Sequence, residues 1–153
     1  MSADVDFVIR QFQAQDQPAC KRLVLEGLTE HFGELQHSLN NDLNDIATTY
    51  TATGHLFFVA EAGQAIIGTG AIVQESREAG RIVRLSVQKD YRRFGIARAI
   101  VSQLLSEAGR LRLTYINVET NLDWFAAINL YESLDFSIVG RDEESIHFQL
   151  KLP

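Results

Sequence analysis

The chain has 153 residues, 46% of them apolar and 22% charged, with ten glycines and two prolines. That is the size and composition of one globular domain, and it excludes collagen-like, disordered and low-complexity chains. The longest apolar run, Leu56–Ala60, falls far short of the roughly 20 residues that cross a bilayer, and Asp4 and Asp6 interrupt the stretch where a secretory signal would need an apolar core. A cytoplasmic location away from membranes is therefore expected. One cysteine, Cys20, and four scattered histidines supply neither an internal disulfide nor zinc-site spacing, so no metal is expected.

Charge is unevenly placed. Residues 81–98 carry Arg81, Arg84, Lys89, Arg92, Arg93 and Arg98 against Asp90 alone, while residues 1–50 hold eight acids against Arg10, Lys21 and Arg22. A basic patch this local fits one anion site better than a nucleic-acid surface. The acidic first third, where it lines a pocket, favours a cationic or amine partner; otherwise those charges only solvate the surface.

In chain order, Val8 to Phe12 reads as a short strand. Asp16 as N-cap and Pro18 in the first turn open a helix whose apolar positions Cys20, Leu23, Val24, Gly27 and Leu28 share one face as far as about His31. Residues 32–53 are polar and Asn-rich, with room for a short helix over Asp42–Tyr50. His55–Glu61 and Ala65–Gln74, joined by Ala62-Gly63-Gln64, predict an antiparallel hairpin. Arg81–Val87 predicts a further strand. Ala97, Ile100, Val101, Leu104, Leu105 and Ala108 repeat at helical spacing and predict a helix that stops at Gly109. Thr114–Val118 reads as a strand, and Ala127, Leu130, Tyr131 and Leu134 mark the face of a third helix. Phe136–Gly140 and Ile146–Leu150 close as two strands around a turn at Arg141–Ser145. This order predicts an α+β fold with a mixed sheet in a single domain, residues 1–153, without repeat or linker.

The chemistry concentrates where Leu85-Ser86-Val87 leads through Gln88–Tyr91 into Arg92-Arg93-Phe94-Gly95-Ile96-Ala97 and the clearest helix. A strand feeding a glycine-bearing turn at a helix N-terminus aims backbone amides at one point, and the helix dipole adds positive potential there. Phosphate is the natural guest. Gly95 lets the backbone approach an anion, Ala97 keeps the next position small, and Arg92, Arg93 and Arg98 add charge. Neither GxxxxGK followed by Ser or Thr nor GxGxxG is present, so the turn is not built for a nucleoside triphosphate or a nicotinamide dinucleotide.

RIVRLSVQKDYRRFGIARAIVSQLL followed by INVETNLDWFAAINLYESLDF resembles the two core motifs of the GCN5-related N-acetyltransferase (GNAT) superfamily, over about Arg81 to Gly140. Within it, VRLSV with GIA and then VET with AAINLY is most similar to the branch containing cysteine-conjugate N-acetyltransferases. The resemblance implies a mostly antiparallel mixed sheet with two splayed parallel strands, Arg81–Val87 and Thr114–Val118, and helices on both faces. It also implies acetyl-CoA as cosubstrate and a small-molecule or peptide amine as acceptor. The backbone of Leu85 and Val87, with Ser86 between them, would pair with the pantetheine arm. The amides from Arg93 through Phe94, Gly95, Ile96 and Ala97 to Arg98 would take the pyrophosphate, beside Arg92, and the Val87 amide would hold the oxyanion. Tyr131 matches the family's tyrosine that protonates the departing thiolate; without the motif it reads as a core aromatic.

Other positions depart from the family pattern. Arg81 stands where many relatives carry a base glutamate, so the nearest acid is Glu119, which reads equally as a rim carboxylate or, with Thr120, a cap for the next helix; water relay to solvent is a third option. Trp124 replaces a customary asparagine, leaving Asn121 one turn earlier as the cofactor contact, and Asp135 replaces a glycine. Glu30, His31 and His37 are candidates for the acceptor side, though each also reads as a solvated surface residue. Exposed sheet edges make a homodimer plausible, and a module that holds acyl-CoA without turnover is the competing reading.

Overall fold

A computed structural model describes residues 5–35 and 37–153, apart from the side chains of His37 and Ser38. Its strands are β1 (Val8–Gln11), β2 (Leu56–Ala62), β3 (Ala65–Gln74), β4 (Ala79–Val87), β5 (Tyr115–Asn121), β6 (Ser137–Arg141) and β7 (Ser145–Lys151). Its helices are α1 (Gln17–Phe32), α2 (Ile96–Arg110) and α3 (Phe125–Ser133). The strands order as β1-β2-β3-β4-β5-β7-β6 in a seven-stranded mixed sheet, the α+β class that the periodicities predict. No helix among the described residues is long and apolar enough to cross a membrane. The chain divides into two compact units, the first comprising residues up to Ala71 with Arg84–Leu104, the second Ile72–Val83 with Leu105–Pro153.

In the first unit β1 pairs antiparallel with β2, Val8 opposite Glu61 and Gln11 opposite Phe58. The two-residue turn Gly63-Gln64 closes the hairpin, with Gly63 at φ 61 supplying the left-handed residue such a turn requires. Helices lie on both faces here. A Cβ on Gly27 of α1 would stand 2.9 Å from Ser86 Oγ, whereas Cβ atoms on Gly68 and Gly70 would meet Ile96, Ile100 and Leu104 of α2, with Leu85 on that same side. Adjacent strand residues point to opposite faces, so α1 covers the Ser86 face and α2 the Leu85 face. The two β3 glycines let α2 seat its fully buried Ile100 and Leu104 directly on the strand.

Three expectations change in this unit. Asp16 stands at the N-cap position of α1 but makes no cap bond. Its carboxylate instead accepts from the Gln13 amide at 2.8 Å and from both Arg10 guanidinium nitrogens at 2.7 and 2.9 Å, while Arg10 also holds Glu61 at 2.9 Å. Arg10 thereby keeps the Asp16 carboxyl below its ordinary value. Second, the polar stretch after α1 is anchored, because Leu43, Ile46 and Tyr50 are buried. It folds as 3-10 turns over His37–Asn44 and a π turn over Ala47–Thr51, not as an α-helix over Asp42–Tyr50. Third, β4 begins at Ala79, two residues before the expected Arg81, and it carries a left-handed residue, Arg84 at φ 56, just before Leu85.

In the second unit β4 pairs in parallel with β5 over Ala79–Arg81 and Tyr115–Asn117. β5 pairs antiparallel with β7 along its whole length, and β6 pairs with β7 through a bulge between Ile138 and Gly140. The β5–β7 register puts Val118 opposite Phe148 on one face and Glu119 opposite His147 on the other. α3 stands on the Phe148 face through Tyr131, whose ring lies 5.8 Å from that of Phe148. Before this unit's strands, α2 does not stop at Gly109. It runs to Arg110 and reverses at Arg112, φ 63, where Leu113 N–H bonds to Ala108 and Arg112 N–H to Gly109. The next apolar residue, Leu113, is the one that becomes buried, and that places the stop.

α3 ends the same way. Asp135 at φ 70 lets Phe136 N–H bond to Tyr131 O at 3.0 Å and its own N–H bond to Glu132 O at 3.1 Å, a Schellman closure. The accompanying apolar contact is between Phe136 and Tyr131 themselves, rings 5.4 Å apart and edge to face. The customary glycine at this position is thus a left-handed residue that aspartate tolerates at some cost.

Replacing Asp135 by Gly removes that cost and is expected to stabilise the protein by about 1 kcal/mol in urea unfolding. Gly70→Ala puts a methyl 2.5 Å from Ile100 Cγ2, whose side chain is fully buried and cannot swing aside; a loss of about 1–3 kcal/mol is expected by the same measurement. The Asp16 carboxyl is lowered from 3.8 on folding, so its stabilising contribution is complete above that value and disappears as pH falls through the folded one. Melting temperature should drop below about pH 4, less steeply in Asp16→Asn, and an unchanged acid limb in that variant would show that Arg10 and Asp16 are not coupled to folding.

Candidate active site

The end of β4 and the start of α2 form one continuous device in the first unit. Thr69, fully buried, donates from Oγ1 to the carbonyl of left-handed Arg84 at 2.8 Å. Gln88 N–H then bonds to Ile67 O at 2.8 Å, and the Gln88 side chain accepts from Asp90 N–H, starting the 3-10 turn Lys89–Tyr91. Two left-handed residues follow, Arg93 at φ 69 and Gly95 at φ 80, and α2 begins with Gly95 O accepting from Ala99 N–H.

Among the described residues, the N–H groups of residues 93–97 donate to no acceptor. Alternating left-handed residues at a helix N-terminus gather such amides into an anion-binding concavity, and the dipole of a 15-residue helix adds to it. A Cβ on Gly95 would meet nothing within 4 Å, so it is φ, not crowding, that demands glycine there. Ile96, 1% exposed, fixes the helix start to the core below. Amides gathered in this way suit an anion.

The arginines are arranged differently from the expectation of three open positive charges. Arg92 holds Glu30 of α1 in a bidentate pair at 2.8 and 2.9 Å, and its Nε donates to Val87 O at 3.1 Å. Arg92 in turn holds the Glu30 carboxyl below the usual range. Arg93 and Arg98 are exposed. Glu30 is therefore an ion-pair partner of the turn, and His31 packs its ring edge to face on Phe32 at 4.6 Å. The side chain of His37 lies outside the described residues.

In the second unit Tyr131 is 3% exposed, and burial pushes its phenol above the ordinary value, so it stays protonated at neutral pH. No acceptor among the described residues takes its hydrogen, yet the oxygen is not sealed, since no fully buried side-chain oxygen or nitrogen lacks a partner. The Schellman closure fixes the ring, leaving a positioned neutral donor. Glu119 lies within β5, exposed, on the face opposite Tyr131. It caps nothing: Trp124 is the N-cap of α3. Arg81 pairs with Glu75 at 3.0 Å, and Asn121 ends β5 opposite Ser145.

Two groupings have no signal in sequence spacing. Glu119, Asp142 and His147 bring ligand atoms within 4.8 Å of one another, Asp142 Oδ2 lying 3.2 Å from His147 Nε2. Arg84, Asp42 and Tyr50 form a half-buried cluster in the first unit. Only the β5–β7 register and the fold of residues 37–51 create them. Cys20, by contrast, is inert: burial pushes its thiol up to about 12.

Comparison with known proteins converges on one family. Residues 53–138, more than half the chain, match the model of the acetyltransferase (GNAT) domain. The chain is 34% identical over 131 residues to N-acetyltransferase 8 of Rattus norvegicus, an alignment covering 75% of this chain and 59% of that protein. The chain thus spans little more than half the length of the curated relatives it matches. An acetyltransferase of the GNAT family from Staphylococcus aureus Mu50 superposes with TM-score 0.88 at 16% identity, covering 97% of this chain and 100% of its own. A putative acetyltransferase from Salmonella typhimurium, solved with its cofactor acetyl-CoA, superposes with TM-score 0.79 at 18% identity, covering 96% and 94%. With a strand-to-helix turn of open amides, a buried neutral tyrosine and more than half its length matched by the domain model, this chain belongs to the GNAT acetyltransferase family.

Proposed function

We propose that the whole chain works as one cytoplasmic N-acetyltransferase domain, moving an acetyl group from acetyl-CoA to a primary amine by direct attack in a ternary complex. The observation that carries this is the row of unbonded amides at residues 93–97, flanked by left-handed Arg93 and Gly95. They take the pyrophosphate of CoA, while the backbone of Leu85–Val87 pairs with the pantetheine arm. Because Arg92 is already paired, amide dipoles and the helix N-terminus do most of the recognition, with Arg93 and Arg98 at the rim.

The unprotonated amine attacks the thioester carbonyl, and Val87 N–H holds the oxyanion that forms. On collapse the carbon–sulfur bond breaks, and the sulfur takes the phenolic proton of Tyr131, which solvent replaces. A phenol held above its ordinary value is fully protonated at pH 7 and is a better positioned acid than water. The amine's proton leaves through Glu119, on the face of β5 away from Tyr131, or by water relay. No step as written needs a metal. Amino-acid conjugates, small polyamine-like amines and protein N-termini or lysines are all candidate acceptors, and the acidic first third of the chain favours those with net positive charge. Pairing of two copies through an open sheet edge is compatible with this reading.

One observation favours the alternative of an acyl-CoA-binding module without turnover: Arg81 occupies the usual base position and is held by Glu75. Calorimetric titration with acetyl-CoA, followed by thiol release in the presence of an amine panel, separates the two. Gly95→Trp should abolish binding. Tyr131→Phe should keep the dissociation constant within about threefold and lower kcat at least about 100-fold. Binding without thiol release for every amine would establish the module, and absence of binding to the folded wild type would sink both readings.

A further inference from the structure

Arg84 adopts a backbone conformation that glycine takes freely and arginine resists, at φ 56 in the interior of β4. It is held there from both ends. Thr69 Oγ1 takes its carbonyl at 2.8 Å from inside the sheet. Its guanidinium reaches the segment after α1, donating from Nε and Nη2 to the two oxygens of Asp42 at 2.9 and 2.6 Å, from Nη1 to Asn40 Oδ1 at 3.0 Å and from Nη2 also to Leu39 O at 3.2 Å. Asp42 also accepts from the hydroxyl of buried Tyr50, whose ring packs on Phe57 of β2 at 5.2 Å. Arg84 and Asp42 are only 16% and 20% exposed, so this is a largely desolvated bidentate pair.

The segment it grips has little backbone order of its own. Residues 37–44 are 3-10 turns broken at Asn40, φ −123, so side-chain contacts must fix its position. That position matters because of what comes next in β4. Leu85–Val87 are the residues whose backbone is assigned to the acetyl-CoA arm and the oxyanion. Gly27 of α1 lies against Ser86, and Leu39–Asp42 lies against Arg84, two residues earlier in the same strand. The segment therefore borders β4 next to the residues proposed to hold the acetyl-CoA arm.

We infer that Arg84 is a positioning residue for the transfer site, its backbone setting the phase of Leu85–Val87 through Thr69 and its side chain fixing the Leu39–Asp42 wall beside them through Asp42. This rests on the acetyltransferase reading for its functional consequence, though not for the coupling itself. The two halves of the residue separate under mutation. Arg84→Gly keeps the left-handed backbone and deletes the grip. Thr69→Val keeps the grip and leaves a buried carbonyl without its donor.

The test measures the acetyl-CoA dissociation constant by calorimetry, KM and kcat for the best amine of the panel, and amide hydrogen exchange. Arg84→Gly is expected to keep acetyl-CoA affinity within about threefold, raise amine KM at least about tenfold, and speed exchange at residues 39–51 by about tenfold. Thr69→Val is expected to show the opposite split, weakening acetyl-CoA by about tenfold or more with exchange at residues 39–51 unchanged. Arg84→Lys, which keeps charge but not the fork, should follow Arg84→Gly in smaller measure, and it carries the test should Arg84→Gly not fold. Unchanged amine KM and unchanged exchange in the Arg84 variants would overturn the inference, as would parallel losses of affinity, KM and melting temperature in all three. A wild type that binds no acetyl-CoA would instead overturn the reaction, leaving the exchange data to decide the coupling.

Discussion

Every backbone amide and carbonyl must find a partner, and between Arg84 and Ala97 this chain meets that demand in an unusual way. The carbonyl of Arg84 accepts from a buried threonine, Gln88 N–H bonds back to β3, and the amides of residues 93–97 are left without acceptors among the described residues. A strand running straight on would have carried the chain past this junction, and a helix starting one turn earlier would have moved the open N–H groups of its first turn away from Gly95. The left-handed residues Arg84, Arg93 and Gly95 prevent both. The conformational cost at two arginines is retained in the native state because buried Ile96, Ile100 and Thr69 hold the flanks.

The basic character of this stretch is smaller in the folded protein than in the sequence. Arg81 is paired with Glu75, Arg84 with Asp42 and Arg92 with Glu30. With Arg92 paired, positive potential at the turn comes from oriented dipoles, which a neighbouring carboxylate cannot draw away, together with exposed Arg93 and Arg98. On the function proposed above, fixed dipoles would also suit a ligand that leaves after each turnover, since they add directional hydrogen bonds without the long-range attraction of clustered guanidinium groups.

Tyr131 shows the same economy in the second unit. Its carbonyl and ring are both used to end α3, the first as acceptor for Phe136 N–H and the second as the apolar contact that accompanies it. Only the hydroxyl is left over. Burial among Phe136 and Phe148 keeps that hydroxyl protonated, so the donor role proposed for it would not depend on a titrating partner.

The sequence by itself determined which segments are strands and helices, because those choices rest on periods of two and 3.6 residues and on turn chemistry within a few positions. It also located the strand–turn–helix junction around Gly95 and, through its motifs, the family. Where it erred, the deciding contact was distant. Asp16 reads as a cap but is taken by Arg10 and the Gln13 amide, α2 passes Gly109 because Leu113 is the residue that gets buried, and the polar stretch after α1 folds around Leu43, Ile46 and Tyr50. Only tertiary structure decided which charges are neutralised, that Glu119 faces His147 and turns away from Tyr131, and that residue 84 grips residue 42. Those facts follow from strand register and chain topology, which join residues dozens of positions apart and leave no trace in local spacing.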